Sequence, residues 1–218
     1  MLPTESNTTR KNLLSAGITV FAKKGYKEAT VREICKQADA LNINSINYYF
    51  GSKQGLYREI LELIFSEYDR HAPPPAPDLT PEKRLKRFIT TFCTMLYKGG
   101  AAESDLTAIF VSEMTSPSPF IQDLVDRYNR PRVEANMDML RELLGPDAPD
   151  AMVRDCLVSV SGQILYYSFA WPVFSRLFPE YSTQTTYAQW ADHVFAFSMG
   201  GIHALKKQLK SQSQEDMI

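Results

Sequence analysis

Proline placement divides this chain into two parts. None of its thirteen prolines falls between Thr4 and Ala72, and then five occur from residue 73 to residue 81. Proline lacks a backbone N–H and restricts the residue before it, so a helix that ends near His71 cannot continue through this cluster. A new helix can start with Pro81, because proline is tolerated at the first helical position. We therefore predict two helical segments joined by a proline-rich connector.

Apolar residues in the first segment recur at helical spacing, which predicts three short helices. The first covers about residues 9–24, with Gly25 as its stop. The second begins after Thr30, which is a good N-cap and has Glu33 three residues later, as in a capping box. The third is predicted to expose its polar positions and to point three apolar side chains inward, namely Ile43, Ile46 and Phe50.

Helical spacing continues beyond residue 52, and no strand pattern is found anywhere in the sequence. A long amphipathic helix leads to the connector, and later helices are predicted over residues 81–98, 103–115, 118–144, 149–177 and 184–210. The predicted fold class is therefore all-α. We expect a three-helix N-terminal domain over residues 1–52, a larger helical domain over residues 53–210 and a polar tail over residues 211–218.

Positive charge is concentrated at the N-terminal end. Residues 1–60 contain nine Lys/Arg and five Asp/Glu, whereas residues 61–218 contain fifteen and twenty, within a net charge of −1. A basic segment favours a polyanionic partner, because neutralising phosphates releases condensed counterions. We expect any nucleic-acid contact in the first segment only.

Several functional classes lack the residues that they need. The sequence has no Gly-rich phosphate loop, no GxSxG and no HExxH motif, so we expect no enzyme activity and no catalytic residue. Its cysteines are far apart, at Cys35, Cys93 and Cys156, and none has a metal-ligand spacing. His193 and His203 are ten residues apart, so we expect neither a metal nor a cofactor.

The first residues contain no apolar run that could act as a signal peptide. The longest apolar stretches elsewhere are broken by Ser, Gln or Pro, which predicts no membrane-spanning helix. We therefore expect a cytoplasmic protein that has no membrane partner.

Two short helices joined by a tight turn are the arrangement that a major-groove reader requires, provided that the second helix has a polar and aromatic outer face. A plain helical hairpin with solvated polar residues has the same periodicity. The spacing of apolar residues leaves both interpretations open.

Four segments at fixed mutual distances decide between them. They are Arg10 ahead of LLSAG, FAKKGY from Phe21 to Tyr26, ATVREIC from Ala29 to Cys35, and INYYFGSKQGLY from Ile46 to Tyr57. Together they resemble the N-terminal helix-turn-helix domain of the TetR family. The resemblance implies a homodimeric, ligand-responsive transcriptional regulator. Such a protein is generally a repressor, binds a palindromic operator on double-stranded DNA and is released by a small-molecule effector, here unknown.

The resemblance also implies two sets of DNA contacts. Backbone phosphates would be contacted by the cap of the second helix, by the aromatic pair and by the lysine that opens the fourth helix, which are Thr30, Tyr48, Tyr49 and Lys53. Bases would be contacted from the exposed side of the third helix by Asn42, Asn44, Ser45 and Asn47, since amides can pair bidentately with adenine. For each Asn, a helix cap or a solvated surface residue is the open alternative.

Two departures from the family pattern affect the third helix. Many members have Tyr where Asn47 stands, and the stretch from Ile34 to Phe50 is one residue longer than usual. Asp39-Ala40-Leu41 replaces a turn that normally holds Gly, so we expect an altered turn. The changed turn keeps one alternative function open, a helical protein-interaction module that has lost DNA binding.

The second segment is similar in layout to the CecR-like branch of the family, through ESDLTAIFVSEMTSPSPFIQDLVDRYNRPRVE and a later helix that contains GQILYYSF. The resemblance implies an effector pocket among the middle helices, with candidate residues Phe88, Phe92, Met95, Phe110, Met114, Tyr128, Met137, Gln163, Tyr166 and Tyr167. Core packing is the alternative role for most of them. The last two helices would form the dimer interface through Trp171, Phe174, Trp190, Phe197, Gly200 and Gly201.

Overall fold

The computed structural model describes residues 3–40, 42–71, 78–97, 104–180 and 183–215. Within these residues every regular element is a helix, which confirms the all-α prediction. Leu41 and the connector residues 73–77 lie outside the described residues. The helices are α1 (Pro3–Glu28), α2 (Val31–Gln37), α3 (Ser45–Phe50), α4 (Lys53–His71), α5 (Pro81–Tyr97), α6 (Asp105–Thr115), α7 (Ile121–Leu124), α8 (Arg130–Leu144), α9 (Asp150–Leu177) and α10 (Thr183–Glu215), with a π-helical turn (Val125–Asn129) between α7 and α8.

Several boundaries differ from the prediction: α1 begins at Pro3 and not near residue 9, and the helix predicted over residues 118–144 is divided into α7, a π-helical turn and α8. Gly25 is a break inside α1 rather than its end: it adopts a φ of 73°, a left-handed geometry that glycine tolerates. The N–H of Ala29 still reaches the Gly25 carbonyl at 3.3 Å. At the other end of the chain, α10 continues to Glu215, because nothing between residues 211 and 215 breaks a helix.

The chain packs into two compact units. The first comprises residues 1–67 and 103–127, and the second comprises residues 68–102 and 128–218. The first unit is therefore discontinuous in sequence, since α6 and α7 belong to it although they follow the connector. Within it, α1 packs against both α2 and α6.

The core of the first unit is built from side chains that the helical periodicity placed on one face. Leu13 and Phe21 of α1 are almost completely buried, and so are Leu56 and Ile60 of α4. The two helices approach closely at Gly17, where a Cβ atom would lie 3.0 Å from Leu56 Cδ2. Each buried side chain of this size contributes about 1.5–3 kcal/mol through removal from water.

In the second unit, α10 packs on α5, α8 and α9. The core of this unit contains a stacked pair, Tyr167 and Trp190, with ring centroids 4.2 Å apart and an interplanar angle of 3°. The Tyr97 hydroxyl donates to the Ile164 carbonyl and accepts a hydrogen bond from Ser168 Oγ at 3.1 Å. Cys93 is buried nearby as a free thiol, and burial raises its pKa to about 12.

The turn between α2 and α3 contains a residue with a left-handed backbone, and it places Ile43 differently from the prediction. Asp39 has a φ of 50°, so a residue with a side chain occupies the left-handed region that glycine usually takes. Ile43 was expected to point inward but is 50% exposed, whereas Ile46 is fully buried. The reason is that α3 begins only at Ser45, which leaves Ile43 in the turn rather than on the inner face of the helix.

The positive φ of Asp39 predicts how this turn responds to substitution. Asp39→Val should lower the free energy of unfolding by about 1–2 kcal/mol, because a β-branched residue is disfavoured in the left-handed region. Asp39→Gly should remain within about 1 kcal/mol of the parent, since glycine adopts this geometry without steric cost. Urea unfolding followed by circular dichroism measures both. Equal destabilisation by the two variants would show that the geometry of this turn is not the constraint.

Candidate nucleic-acid interface

The N-terminus of α2 is held by the predicted capping box. Thr30 Oγ1 accepts a hydrogen bond from the Glu33 N–H at 3.3 Å, and the Thr30 N–H donates to Glu33 Oε2 at 3.1 Å. The Thr30 hydroxyl also donates to Glu33 Oε2 at 2.9 Å. These bonds fix an exposed helix start whose positive dipole end favours an anion.

Glu33 connects this cap to α1. Its Oε1 forms an ion pair with Lys24 Nζ at 2.5 Å. Hydrogen bonds from Lys24 and from Thr30 lower the pKa of Glu33 below its ordinary value. The carboxylate is therefore ionised at neutral pH, and it loses its contribution to the cap only as the pH falls through the lowered pKa.

The turn before α3 is held by Asn42. Asn42 Oδ1 accepts a hydrogen bond from the Asn44 N–H at 2.8 Å, and its carbonyl accepts one from the Ser45 N–H at 3.0 Å. These bonds use the side-chain oxygen of Asn42 within its own turn, as Asn often does before a helix. Asn44 is the N-cap residue of α3 and makes no side-chain cap hydrogen bond, so its exposed amide is available to other partners.

Helix α3 presents a polar and aromatic outer face. Ile46 is fully buried and anchors the helix, whereas Tyr48 is 80% exposed. The rings of Tyr48 and Tyr49 meet edge to face with centroids 4.8 Å apart. Asn47 is exposed on the same short helix. This is the arrangement that the sequence predicted for a helix that enters a major groove.

Lys53 makes contacts that the sequence did not predict. Its ammonium donates to the carbonyls of Tyr26 and Ala29, at 2.8 Å each, and lies 4.5 Å from the centre of the Tyr26 ring. An ammonium has three donors, and these bonds use two of them. Lys53 therefore ties the start of α4 to the end of α1, next to the cap at Thr30.

The other basic residues of the first unit fall into two groups. Arg10 forms an ion pair with Glu59 in which Nη2 contacts both carboxylate oxygens at 2.7 Å, and its guanidinium lies 5.0 Å from the centre of the Phe50 ring. Lys24 is paired with Glu33, as described above. Exposed cations that leave positive charge on the surface of this unit are Lys11, Lys23, Lys27, Arg32 and Lys36.

The predicted effector residues are divided between the two units. Phe110 and Met114 lie in the first unit, whereas Phe88, Phe92, Met95, Tyr128 and Met137 are half-buried in the second. Gln163 lines a groove of about 560 Å³ between α9 and α10, and with Tyr166 and Tyr167 it also lines an adjacent groove of about 380 Å³. The five predicted effector residues that are half-buried in the second unit line neither of these two grooves.

The predicted dimer residues also differ in exposure. Phe197 is 66% exposed, and Gly200 and Gly201 are exposed beside it on α10. Trp190 is only 6% exposed, because it stacks within the core of its own unit, so it has little surface to offer to a second copy. Trp171 and Phe174 are half-buried in the same aromatic cluster.

Sequence reasoning missed the part that α6 and α7 play in the first unit. Glu113 of α6 is buried and accepts a hydrogen bond from the Tyr57 hydroxyl at 2.7 Å. Phe120, which precedes α7, packs on Tyr26 with ring centroids 5.0 Å apart. The segment SEMTSPSPF, which contains both residues, resembles the C-terminal domains of the CecR-like branch, and no local pattern indicates that it packs on α1 and α4.

Among the residues that the structure describes, no helix is sufficiently long and apolar to span a bilayer. The same residues contain no group of three His, Cys, Asp or Glu side chains placed to hold a metal ion.

Family models match most of the sequence. Residues 13–60 match the family of bacterial regulatory proteins named tetR, and residues 81–202 match the C-terminal domain of the HTH-type transcriptional dual regulator CecR. The second match alone spans more than half of the chain.

Individual relatives are also transcriptional regulators. A 122-residue segment, 56% of this chain, is 25% identical to the Bacillus subtilis (strain 168) protein named Probable HTH-type transcriptional regulator YttP and covers 58% of it. An 86-residue segment, 39% of this chain, is 33% identical to the HTH-type transcriptional repressor NicS of Pseudomonas putida and covers 40% of it. The matched segments therefore span about half the length of these relatives.

Solved structures share the fold. A transcriptional regulator from Rhodococcus sp. RHA1 superposes with a TM-score of 0.62 at 16% identity, over 88% of this chain and 95% of that one. HlyIIR, a hemolysin II transcriptional regulator, gives a TM-score of 0.54 at 19% identity, over 88% of this chain and 97% of that one.

The contacts of Lys53 predict that it stabilises the protein in the absence of DNA. Lys53→Met should lower the free energy of unfolding by about 1–2 kcal/mol, because two hydrogen bonds from a charged donor and a cation–π contact are lost. Lys36→Met is the matched control, since Lys36 is an exposed lysine of α2. It should change stability by less than about 0.5 kcal/mol. Equal effects of the two variants on chemical unfolding would contradict the structural role of Lys53.

Proposed function

The chain belongs to the TetR family of bacterial transcriptional regulators, with a C-terminal domain of the CecR type, and we propose that it is a homodimeric repressor released from a palindromic operator by a small-molecule effector. Membership of this family makes it a DNA-binding regulator and not an enzyme. The name of NicS, a repressor, supports repression as the output. A chromosomal target implies a cytoplasmic location.

The exposure of polar and aromatic side chains on the outer face of α3 is the main observation that supports operator binding. Tyr48 is 80% exposed, although an aromatic side chain gains little from water, and its contact with Tyr49 leaves most of the ring free. Asn44 and Asn47 are exposed on the same side of the turn and helix. Amides can read base edges in a major groove, while tyrosine hydroxyls can bond phosphates.

We assign the predicted contacts accordingly. Phosphate contacts fall to Thr30, Tyr48 and Tyr49, and Lys53 adds positive charge while it holds α4 against α1. Base contacts fall to Asn44, Ser45 and Asn47 from the exposed end of α3. Asn42 supports them by fixing the turn, and its amide nitrogen is the part left for a base.

The outward faces of α9 and α10 support a homodimer. Large apolar side chains are exposed along both helices, including Val158 at 65%, Tyr166 at 60% and Phe197 at 66%. Gly162 and Gly201 face open space, because a Cβ atom at either position would meet nothing within 4 Å. No contact among the described residues requires small residues there, whereas a second pair of helices could approach closely at them. A contiguous exposed apolar face is typical of an interface, and a two-fold axis would pair it with itself.

A dimer of this kind links an effector to DNA release. Two α3 helices would enter successive major grooves about 34 Å apart. An effector that binds a state with a different spacing shifts the population away from the DNA-bound state, by no more than its differential affinity for the two states. Of the predicted effector residues, Phe88, Phe92, Met95, Tyr128 and Met137 are half-buried in the second unit, and they are the effector contacts that we propose.

Operator binding can be tested without knowledge of the target genes. The purified protein should select, from random duplexes, a palindrome with half-sites about one helical turn apart, and its affinity should fall steeply with salt. Asn44→Ala should weaken binding to that duplex by about tenfold, because one base contact is lost. Gln208→Ala, which removes an exposed amide on α10, is the matched control and should bind as the parent does. Selection of no preferred sequence would contradict the proposal.

The dimer interface has its own test. Gly162→Leu and Gly201→Leu should each weaken dimerisation by at least about tenfold, because a bulky side chain prevents close helix approach. Both variants should keep their helical content, since a Cβ atom at either exposed position meets nothing within 4 Å in its own protomer. Ala135→Leu adds the same bulk on exposed α8 and should leave the dimer intact. Sedimentation velocity measures the masses. Dimers of unchanged affinity in both glycine variants would place the interface elsewhere.

A further inference from the structure

Glu113 is a buried carboxylate, and its hydrogen-bond partners among the described residues are all uncharged donors. It is 3% exposed. Its Oε1 accepts from the Tyr57 hydroxyl at 2.7 Å, and its Oε2 accepts from the backbone N–H and the hydroxyl of Ser118, at 3.0 Å each. Burial of a carboxylate is costly unless its oxygens are well bonded. These three residues, Tyr57, Glu113 and Ser118, are called the Glu113 cluster below.

The Glu113 cluster holds the segment between α6 and α7 against α4. Two residues after Ser118, the ring of Phe120 packs edge to face on Tyr26, with centroids 5.0 Å apart. The Arg58 guanidinium lies 5.7 Å from the centre of the Phe120 ring and forms an ion pair with Asp123 at 2.9 Å. The segment is thus fixed on both sides of Phe120 by contacts with α4.

Tyr57 connects this cluster to the helix-turn-helix. Its ring centroid is 4.9 Å from that of Tyr26 and 4.7 Å from that of Phe21, both on α1. Burial and the neighbouring Glu113 carboxylate raise the pKa of Tyr57, so the hydroxyl stays protonated and continues to donate. A hydrogen bond to a carboxylate is shorter and stronger than one between neutral groups, which makes Tyr57 a well-fixed point on α4.

Tyr26 then connects α1 to Lys53 at the start of α4 and, through Lys53, to the cap of α2 at Thr30. Its carbonyl and ring hold Lys53, which opens α4 shortly after α3 ends at Phe50. Lys53 also bonds the carbonyl of Ala29, the residue immediately before the cap of α2 at Thr30. Any displacement of Tyr26 would therefore shift Lys53, and with it the start of α2 and the end of α3.

We propose that Glu113 is a positioning residue for DNA recognition: through Tyr57 it fixes α4 and the end of α1 in the arrangement that orients α3 in the groove. The inference rests on the proposed operator binding. It makes α6 part of the DNA-binding unit, although α6 falls within the segment matched to the C-terminal domain of CecR. Glu113 itself touches no DNA, and its effect passes through Tyr57, Tyr26 and Lys53.

Tyr57→Phe is the direct test, because it removes the hydroxyl and keeps the ring in its aromatic cluster. The probes are the duplex selected by the parent protein and a random-sequence duplex of the same length. Affinity for the selected duplex should fall by about tenfold, in line with the loss of a hydrogen bond to a charged group. Affinity for the random duplex should fall much less, since attraction of phosphates to the basic residues of the first unit depends mainly on charge and less on the orientation of α3.

Tyr97→Phe is the matched control. Tyr97 is a buried tyrosine of the second unit, and its hydroxyl also makes hydrogen bonds that the substitution removes. This variant should lower thermal stability to a similar extent and leave the ratio of the two affinities unchanged. A merely structural role for Tyr57 would instead reduce binding to both duplexes in proportion to the fraction unfolded.

Glu113→Gln supplies a second variant if Tyr57→Phe folds poorly. It keeps the size of the side chain but places an NH2 group where Glu113 accepts hydrogen bonds, so it should also reduce the ratio of specific to random binding. In the double variant the two losses should be less than additive, because they remove the same interaction. Unchanged ratios in both single variants, or fully additive losses, would overturn the inference. A parent protein that selects no duplex would overturn operator binding and this inference together.

Discussion

The hydrogen bond from the buried Tyr57 hydroxyl to Glu113 is the interaction on which the first unit depends. It joins α4 to α6 inside a core where neither group can exchange its partner for water. A carboxylate left without this donor would be buried with an unsatisfied oxygen, at a cost of about 1–3 kcal/mol or more. The aromatic rings of Phe21, Tyr26 and Phe120 pack against the Tyr57 ring and help to hold α1 against α4.

Hydrogen bonds to the backbone then fix the surface that we propose as the DNA-binding surface. Glu33 holds the start of α2, Asn42 holds the turn before α3, and Lys53 holds the start of α4. Glu33 and Asn42 bond backbone N–H groups two or three residues away, whereas Lys53 bonds carbonyls near the end of α1, 27 and 24 residues earlier in the chain. The exposed side chains of α3 are therefore flanked by helix ends and a turn that hydrogen bonds hold in place. The second unit shows the opposite arrangement, with apolar side chains left exposed on α9 and α10.

Interactions within a few residues were predictable from the sequence, and interactions across the fold were not. The Thr30 capping box follows from a spacing of three residues, and the structure confirms it. The position of Ile43 was predicted wrongly, because periodicity alone does not show that α3 begins at Ser45. Lys53 resembled a phosphate contact, but its bonds join it to carbonyls 27 and 24 residues earlier in the chain. The connection of Glu113 to Tyr57 spans 56 residues, and no local pattern encodes it.

Native-state hydrogen exchange on the full chain tests the central claim, that α6 completes the DNA-binding unit. Amides of α1 near Phe21 and of α6 near Ile109 should open together, with the same free energy and the same dependence on denaturant, because the two helices share one core. Tyr57→Phe should lower that opening free energy equally for both helices. Exchange of α6 together with α9 and α10, while α1 stays protected, would contradict the account.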